Sequence, residues 1–519
     1  MAQSSRVADL WRLNLAILCI ALGLSSLIYT PTKFFFDLRL RMIPGTPPYT
    51  LWANPPSNLL ANVYVFNTTN SERFLNGSDD FLHLQEIGPI IYKEEYTHEN
   101  IKFNENSTLT YTVTRTPVYL PEKNTINLND TIIAPNLAML VLVAYFSSKP
   151  FLLRTIISTF MNRFKNEPFT NMTLYNYLHN ASSPMLEACR PFAPSLVPTS
   201  NAGVLHQVYL RNKFNITVKI GPKYGNENFF AIDNIDGSDW LPTYSDCKPK
   251  FNHTSEPTLF PQFLTKNQTL RVWKSILCQD VGLKFAKVVK EGIYSAYHYT
   301  VPLDTFNRTI PENKDCFKGD PILPNGLSDI STCYSNYPFA ASFPHFMGAD
   351  SIVSARIKGL KPDIKKHGSY LTAERLSGVP LKGRAVFQVN LVFNKIYGFG
   401  EKLRRFTDLY MPISYISYEI DDWPASVTVF LYVLSILIPN SQLIMSISFL
   451  IIGLWLLYYP TRNFFKSMMV NTKRVESNRK FYEQKYPLNI KNMSYIMYFN
   501  ILPPLNSTLV ASLIEDRLW

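Results

Sequence analysis

The chain has 519 residues and a net charge of +12, and its length alone allows two to four domains. Charged residues make up 17% and aromatic residues 14%, which excludes a disordered chain and indicates an apolar folded protein. The positive charge forms no Lys/Arg run of the kind that binds nucleic acid. We therefore expect no nucleic-acid partner and favour anionic lipid headgroups or other anionic ligands.

The first apolar run covers residues 13–29, behind Arg6 and Arg12. As a helix rising about 1.5 Å per residue it would reach roughly 25 Å, slightly less than a ~30 Å hydrocarbon core. Gly23 and Ser25 are small residues at the spacing that signal peptidase reads. The run alone therefore predicts either a cleaved secretory signal peptide or an uncleaved membrane anchor.

Short segments of alternating apolar and polar residues predict a β-rich middle domain. The segments are 61–66, 108–114, 214–220, 384–393 and 413–419. The apolar residues expected to share one face of the fourth segment are Ala385, Phe387, Val389, Leu391 and Phe393. Gly88-Pro89 is expected to fix a turn at the entrance of a strand.

One insert in the middle domain has helical spacing instead. Residues 135–146 are almost wholly apolar and precede a break at Lys149-Pro150. Beyond the break, one helix face carries Leu153, Ile156, Ile157, Phe160, Met161 and Phe164, and the other carries Arg154, Ser158, Asn162 and Lys165. Two interpretations stay open. The insert is either a core-packed helix pair with a solvated basic face, or an apolar patch with a basic rim that receives amphipathic anionic ligands.

Asn-x-Ser/Thr sequons in the middle of the chain indicate an extracellular or lumenal segment. A single sequon is a weak signal, but these all lie between the two apolar runs near the ends of the chain. The predicted glycosylation sites are Asn67, Asn76, Asn106, Asn129, Asn171, Asn180, Asn215, Asn252, Asn267 and Asn307.

Cysteine usage agrees with an oxidising compartment. Cys19 lies in the first apolar run, and Cys189 is either a buried thiol or half of an intermolecular bond. The remaining four cysteines are clustered as in a disulfide framework, but their spacing does not determine which of them pair. They are Cys247, Cys278, Cys316 and Cys333. No CxxC or HxxxH spacing occurs and the eight histidines are scattered singly, so we expect no metal site and no cofactor.

A second apolar run, residues 441–459, decides whether the first run is a cleaved signal peptide or an uncleaved membrane anchor. It contains no charge and is followed by a basic segment, which predicts a membrane span with a cytosolic flank. Both ends of the chain are then cytosolic, and the first run is an uncleaved anchor. The preceding segment, 426–438, is too short to span and is expected to end at Pro439-Asn440. A span that begins near Val427 and is kinked at Pro439 is the alternative.

These features predict five regions. They are a cytoplasmic N-terminus (1–12), a first membrane helix (13–30), an ectodomain (31–440), a second membrane helix (441–459) and a cytoplasmic tail (460–519). The tail is uncharged between Asn492 and Ile514, so a third span there is an alternative.

No catalytic signature is present. The sequence lacks the GxSxG, HExxH, P-loop and GxGxxG motifs, and we expect no enzyme activity. A membrane-bound ecto-enzyme would need a nucleophile, a base and an oxyanion site that converge, and the sequence indicates none.

Three stretches resemble the class B scavenger receptor family, which includes lysosomal integral membrane and sensory neuron membrane protein branches. They are "WANPPSNLLANVYVFNTTNSERFLNG" (52–77), "EIGPIIYKEEY" (86–96) and "ASFPHFMGAD" (341–350), the last followed by "IKGLKPDIKKHGSYLTAERLSGVPLKG". Their order and spacing cover the chain up to about residue 470.

The resemblance implies an α+β fold. Its ectodomain would be an irregular antiparallel β-barrel with a helical apex (135–190) and a hydrophobic tunnel, anchored by two transmembrane helices. It also implies the disulfides Cys247–Cys316 and Cys278–Cys333. The apex contacts expected for ligands are Arg154, Phe160, Arg163 and Lys165.

The implied function is a receptor that binds and transfers lipids, fatty acids, lipoprotein particles or polyanions at the plasma membrane. The alternative is a protein-binding phagocytic or sorting receptor, at the plasma membrane or in a lysosomal or endosomal membrane. Both alternatives allow a protein ligand at the apex and a homo-oligomer.

Overall fold

The computed structural model describes residues 2–56, 59–241, 251, 253–310 and 322–485. The helices are α1 (Ala2–Ile28), α2 (Pro31–Leu40), α3 (Pro47–Ala53), α4 (Ser71–Leu75), α5 (Leu137–Ser147), α6 (Phe151–Arg163), α7 (Leu174–His179), α8 (Pro184–Cys189), α9 (Val204–Val208), α10 (Ser351–Ser354), α11 (Ile364–His367), α12 (Glu401–Arg404), α13 (Ala425–Tyr432) and α14 (Ile438–Lys485). A π-helical turn, Val433–Leu437, joins α13 to α14.

The strands are β1 (Leu59–Thr68), β2 (Leu82–Asn104), β3 (Thr108–Tyr119), β4 (Thr131–Pro135), β5 (Phe169–Thr173), β6 (Lys213–Lys219), β7 (Ile232–Ile235), β8 (Thr254–Ser255), β9 (Leu270–Lys274), β10 (Gln279–Glu291), β11 (Tyr294–Thr300), β12 (Ser328–Asp329), β13 (Phe339–Ser342), β14 (Ile357–Lys358), β15 (Tyr370–Glu374), β16 (Pro380–Val392) and β17 (Tyr410–Ile420). All five predicted strands are present, as β1, β3, β6, β16 and β17. The remaining strands were not predicted.

The chain divides into two compact units. One consists of residues 1–28 and 443–519, and the other of Tyr29–Gln442. The larger unit holds all the strands, and we call it the barrel unit. The smaller one holds α1 and most of α14.

The barrel unit is built on one mainly antiparallel sheet, and the predicted α+β barrel is confirmed. The main path of the sheet runs β7-β6-β3-β2-β1-β17-β16-β15-β11-β10-β9-β8. An isolated antiparallel bridge between Ala231, beside β7, and Ser255, in β8, joins the two ends of that path. The sheet is therefore nearly closed, which leaves almost no free edge to pair with other chains.

Strand β16 shows why alternation predicted only half of the core. Its predicted face, which includes Phe387 and Leu391, is buried as expected. The opposite face is buried as well, because the helical turn Pro344–Phe346 packs on it and His345 N–H donates to Gln388 Oε1 at 2.8 Å. Gln388 and Asn390 lie there fully buried, and Asn390 Nδ2 donates to the Ala340 carbonyl oxygen at 3.1 Å.

The predicted turn at Gly88-Pro89 is wrong, because this pair lies inside β2. The register of β2 against β1 shifts between Val63 and Val65, so the strand continues through an irregularity. Gly88 has φ +152°, and an added Cβ would lie 2.5 Å from the Tyr64 ring. Glycine is required there by the close approach of that ring as well as by the backbone conformation.

The predicted helical insert forms α5 and α6. Helix α5 is almost wholly buried, because it lies in the core against β16. Only Met161 is fully buried in α6. Ile157, Phe160 and Phe164 pack on the core as expected, whereas Leu153 and Ile156 are exposed, contrary to the core-packed interpretation.

In the smaller unit, α1 and α14 pack closely at two glycines. A Cβ added to Gly453 would lie 2.6 Å from Ile20 Cγ1, and one added to Gly23 would lie 2.8 Å from Leu450 Cγ. Ser26 Oγ and Ser446 Oγ share a hydrogen bond at 2.6 Å. Small residues and paired hydroxyls are the usual contacts between helices in lipid.

Two helical stretches are long and apolar enough to cross a membrane by length and composition, Val7–Ile28 and Ala425–Phe481. The expected helix end at Pro439 is wrong, since the chain stays helical from 425 to 485. The π turn explains the difference. Ile438 N–H bonds to the Val433 carbonyl oxygen, and this wider turn next to Pro439 accommodates its missing N–H. The uncharged tail segment 492–514 lies outside the described residues.

A disulfide joins Cys278 to Cys333, with Cα atoms 6.1 Å apart. Cys19 and Cys189 are free. Cys247 and Cys316 lie outside the described residues, so their pairing stays a prediction.

Replacing Cys278 and Cys333 together by alanine is expected to lower the free energy of unfolding by about 4 kcal/mol. The bond joins residues that are 55 positions apart, so its loss frees a long loop in the unfolded chain. Thermal unfolding in detergent under non-reducing conditions measures the change. Cys189→Ala, which removes a free thiol, is the matched control. A double variant as stable as the control would contradict the prediction.

Candidate ligand-binding cavities

Three cavities lie side by side within the barrel unit. The α13 cavity has a volume of 270 Å³ and is bordered by Val427, Phe430 and Leu431 of α13. The disulfide cavity, 1170 Å³, is bordered by Cys278 and Cys333. The α5 cavity, 80 Å³, is bordered by residues of α5 that include Leu137, Ala138 and Val141.

Adjacent cavities share wall residues. The α13 and disulfide cavities share Phe214, Trp273 and Ser275, and the α13 and α5 cavities share Ile276 and Phe387. Each of these two pairs of cavities therefore has part of its wall in common. Rotation of a few aromatic or apolar side chains would change the connection between them.

The α13 cavity is predominantly apolar because the barrel strands turn alternate side chains inward. Val113 of β3, Val272 of β9 and Leu371 of β15 are among its wall residues. Pockets for small molecules usually combine such apolar walls with a few polar groups, at volumes of ~300–1,000 Å³. At 270 Å³, the α13 cavity is slightly smaller than the lower limit of that range.

The main polar group of the α13 cavity is the buried guanidinium of Arg115. It forms an ion pair with Glu94, donates to Ser275 Oγ, and donates from Nη2 to the Tyr418 hydroxyl at 3.3 Å. Tyr209 Oη donates to the second oxygen of Glu94 at 2.7 Å. The charge is thus paired and hydrogen-bonded on several sides, as a buried ion pair requires.

A second polar group lies beside α13. Arg39 lines the α13 cavity, is buried and donates to the Ser377 carbonyl oxygen. Burial lowers the pKa of Arg39 to about 10, against the opposing charge of Glu374. Glu374 accepts a hydrogen bond from Ser435 Oγ at 2.9 Å. Because Ser435 belongs to the π turn, this bond ties that turn to the end of β15.

The four predicted apex contacts belong to a different surface from the three cavities. Phe160 packs on Phe164, with ring centroids 5.0 Å apart, and Arg163 and Lys165 are exposed at the end of α6. Arg154 Nη1 instead donates to the Tyr397 carbonyl oxygen at 3.2 Å. The structure therefore groups Phe160, Arg163 and Lys165, and engages Arg154 elsewhere.

The predicted glycosylation sites are mostly exposed. The exposed ones are Asn76, Asn106, Asn129, Asn171, Asn180, Asn215 and Asn267. Asn67 and Asn307 are half-buried, and the Asn67 amide accepts from Ile133 N–H at 2.9 Å. Asn252 lies outside the described residues.

One cluster with metal-ligating residue types was missed by the sequence analysis. Ligand atoms of Glu86, His345 and His367 lie within 4.8 Å of one another. Each histidine lies inside or just after a stretch that carries the family resemblance, and so does Glu86. That coincidence was the available signal.

Hydrogen bonds argue against a metal at this cluster. His345 Nδ1 accepts from Lys361 N–H at 3.2 Å, and His367 Nδ1 accepts from Asp363 N–H at 3.1 Å. Each ring then carries its proton on Nε2, the atom that would have to face the metal. His345 Nε2 instead donates to Glu86 at 2.6 Å. The cluster holds a carboxylate rather than a cation.

The pKa values of Glu86 and His367 in this cluster are both lowered. Burial opposes ionisation of Glu86, but hydrogen bonds from His345, Lys366 and Tyr415 outweigh it and lower the pKa of Glu86 to about 2. Burial lowers the pKa of His367 to about 4, and the neighbouring His345 and Lys366 side chains act in the same direction. His367 is 1% exposed, and its Nε2 has no hydrogen-bond partner among the described residues.

The His367 shift predicts a loss of stability in acid. The folded protein binds this proton less readily than the unfolded chain, whose pKa is 6.5, so stability is lost as the pH falls from 6.5 toward 4. Glu86 adds a further loss below about pH 4.5. His367→Phe should reduce the fall in unfolding free energy between about pH 7 and 5 by about 1–2 kcal/mol. Thermal unfolding at both pH values, with exposed His253→Gln as control, measures it. An unchanged pH dependence would contradict the assignment.

Comparisons with known proteins agree with this architecture. The CD36 family model matches residues 14–461. Lysosome membrane protein 2 of Rattus norvegicus is 27% identical over 385 residues, which is 72% of this chain and 77% of the relative. Scavenger receptor class B member 1 of Rattus norvegicus is 25% identical over 403 residues, 75% of this chain and 76% of the relative. The two terminal apolar helices fit a two-span membrane protein, and the chain belongs to the CD36 family.

Proposed function

We propose that this chain is a two-span membrane receptor that binds lipid-like amphiphiles in the α13 cavity. The observation that carries the proposal is the cavity itself, an unfilled apolar space inside a closely packed barrel, bordered by the helix that leads into α14. Protein interiors are normally filled, and apolar voids lose dispersion contacts. A hydrocarbon chain in this space would restore those contacts and leave water.

The proposal includes passage of the ligand between the three cavities, which share their walls. Fatty acids, other lipids and lipoprotein particles are the proposed partners. The proposed arrangement places both termini in the cytosol and the barrel unit, with its glycans, outside or in a lumen. The plasma membrane is the proposed location, with the lysosomal membrane, named in one group of relatives, as the alternative. The receptor role proposed here involves no catalytic site.

Capture of ligands at α6 is the second part of the proposal. Phe151, Leu152 and Ile156 are more than half exposed, and Arg163 and Lys165 follow at the C-terminal end of the helix. An exposed apolar patch with a basic rim suits the surface of an anionic lipid particle.

A protein-binding role, as a phagocytic or sorting receptor, is the second candidate function. The same exposed apolar residues of α6 favour it, since solvent-exposed apolar patches on folded proteins commonly bind other proteins. The two functions differ in their need for the α13 cavity. A protein bound at α6 requires no empty interior.

Filling the α13 cavity separates the two functions. Ala385 of β16 lines the cavity, and Ala385→Trp is expected to weaken binding of radiolabelled hexadecanoic acid by at least about tenfold by occupying its place. Equilibrium binding to the full chain in nanodiscs measures it, with Lys290→Trp at an exposed position as control. Unchanged binding in Ala385→Trp would contradict the lipid function and leave protein binding as the better account.

Charge reversal at the end of α6 tests capture. Arg163→Glu with Lys165→Glu should slow the association of the full chain with phosphatidylserine-containing vesicles by about tenfold at low salt, because attraction becomes repulsion. Hexadecanoic acid binding in the α13 cavity should be unaffected. Lys284→Glu with Lys290→Glu reverses the same charge on the exposed face of β10 and is the matched control. Equal slowing in both double variants would show a net-charge effect and refute a capture site at α6.

A further inference from the structure

The α13 cavity contains a lysine whose charge has no direct partner. Lys274 is the last residue of β9 and lines the cavity. Its ammonium forms neither a hydrogen bond nor an ion pair with the chain, as far as the structure describes it. An ammonium group removed from water needs such partners, because its desolvation otherwise costs several kcal/mol.

The surroundings of Lys274 disfavour the charged form of its side chain. Burial, and secondarily the charge of Arg115, lowers the pKa of Lys274 to about 8, against Glu94 and Glu256. The lysine is therefore still mainly protonated at neutral pH. Glu94 is already occupied by Arg115 and Tyr209, so it is not free to pair with Lys274.

A hydroxyl group that also lines the cavity has no partner among the described residues. Tyr96 of β2 lines the α13 cavity, and its hydroxyl makes no hydrogen bond with the residues described. Burial raises the pKa of Tyr96, so the hydroxyl stays protonated and can donate. The lining of an apolar cavity thus offers an ammonium and a phenol, each with Arg115 as a neighbour, as two unused donors.

Glu256 is a second acidic group whose charge acts on Lys274, and it also lines the α13 cavity. Its carboxylate accepts hydrogen bonds from Thr258 N–H at 3.1 Å and from the Thr258 hydroxyl. It lies more than 4.0 Å from the Lys274 ammonium, since the two form no ion pair. Lys274 and Glu256 therefore line one cavity without closing on each other.

We propose that Lys274 and Tyr96 bind the carboxylate head of a single-chain amphiphile, with its hydrocarbon tail in the apolar part of the α13 cavity. This deepens the proposed function and rests on it. Two donors match the two oxygens of one carboxylate. The volume of 270 Å³ suits one chain better than a two-chain phospholipid. A neutral alcohol would leave the ammonium without an anionic partner.

Binding should be coupled to proton uptake at Glu256. Burial raises the pKa of Glu256 to about 6, against hydrogen bonds from Thr258 and the charges of Lys274 and Arg115. Tyr96 and Tyr111 also face its charge. A second carboxylate in the cavity raises that pKa further, so Glu256 takes up a proton as the ligand binds. Affinity for an anionic amphiphile should then increase as the pH falls from about 8 to 6.

The test compares three probes on the full chain in nanodiscs: hexadecanoic acid, 1-hexadecanol and hexadecanesulfonate. Lys274→Met keeps the length of the side chain and removes its charge, and Lys284→Met on the exposed face of β10 is the matched control. Lys274→Met should weaken hexadecanoic acid binding about 10- to 100-fold and change hexadecanol binding by less than about twofold. Tyr96→Phe should produce a smaller selective loss. Thermal unfolding verifies that each variant is folded.

Hexadecanesulfonate isolates the proton coupling, because its own charge is constant between about pH 6 and 8. Between about pH 7 and 6, where Lys274 stays mainly protonated, its affinity should rise as the pH falls in the wild type and lose that rise in Glu256→Gln. A flat profile in the wild type would refute the coupling.

The outcomes distinguish the two levels of the proposal. If the wild type binds both the acid and the alcohol but Lys274→Met weakens neither, or weakens both equally, the carboxylate site is refuted and the lipid cavity stands. If the wild type binds none of the probes, the proposed function fails and the carboxylate site fails with it.

Discussion

The inside of the barrel depends on the buried guanidinium of Arg115. It connects β3 to Glu94 of β2, to Tyr418 of β17 and to Ser275 just beyond β9, so one side chain cross-links four segments around the α13 cavity. Removing it would leave Glu94 as a buried charge held only by a tyrosine hydroxyl, a change that typically costs about 3–5 kcal/mol. The same side chain places a cation beside Lys274. The pair that stabilises the fold therefore also sets the electrostatics of the cavity.

The polar groups of this cavity come from distant parts of the sequence. Arg115 and Ser275 are 160 residues apart, and β9 reaches β3 only because the nearly closed sheet brings its two ends together. Alternation along one strand cannot reveal such a meeting, so Lys274 and Tyr96 were not among the predicted site residues. The sequence carried a partial signal for the cluster of Glu86, His345 and His367. Each lies in or beside a stretch that carries the family resemblance, although no single stretch shows that the three meet.

The fold was more accessible to prediction than the site, and its errors have physical causes. Strands β1, β3, β6, β16 and β17 alternate regularly and were predicted. In β10 the alternation fails where its register against β11 shifts between Phe285 and Lys287, and this strand was missed. The helix end expected at Pro439 failed for a similar local reason. A π turn accommodates the proline, and helical content continues. Local irregularities in the sequence pattern thus prevented the prediction of a strand and of a continuous helix that the folded chain nevertheless forms.

The α13 cavity is the proposed centre of a receptor, with α6 as the proposed surface that captures ligands and a hydrogen bond between the π turn and β15 beside the cavity. The proposed function requires that this cavity bind an amphiphile. Native extraction of the full chain, followed by mass spectrometry of the lipids that co-purify, tests this most directly. The expected result is about one single-chain acidic amphiphile per chain. A folded chain that carries no lipid, and takes up none when it is supplied, would contradict it.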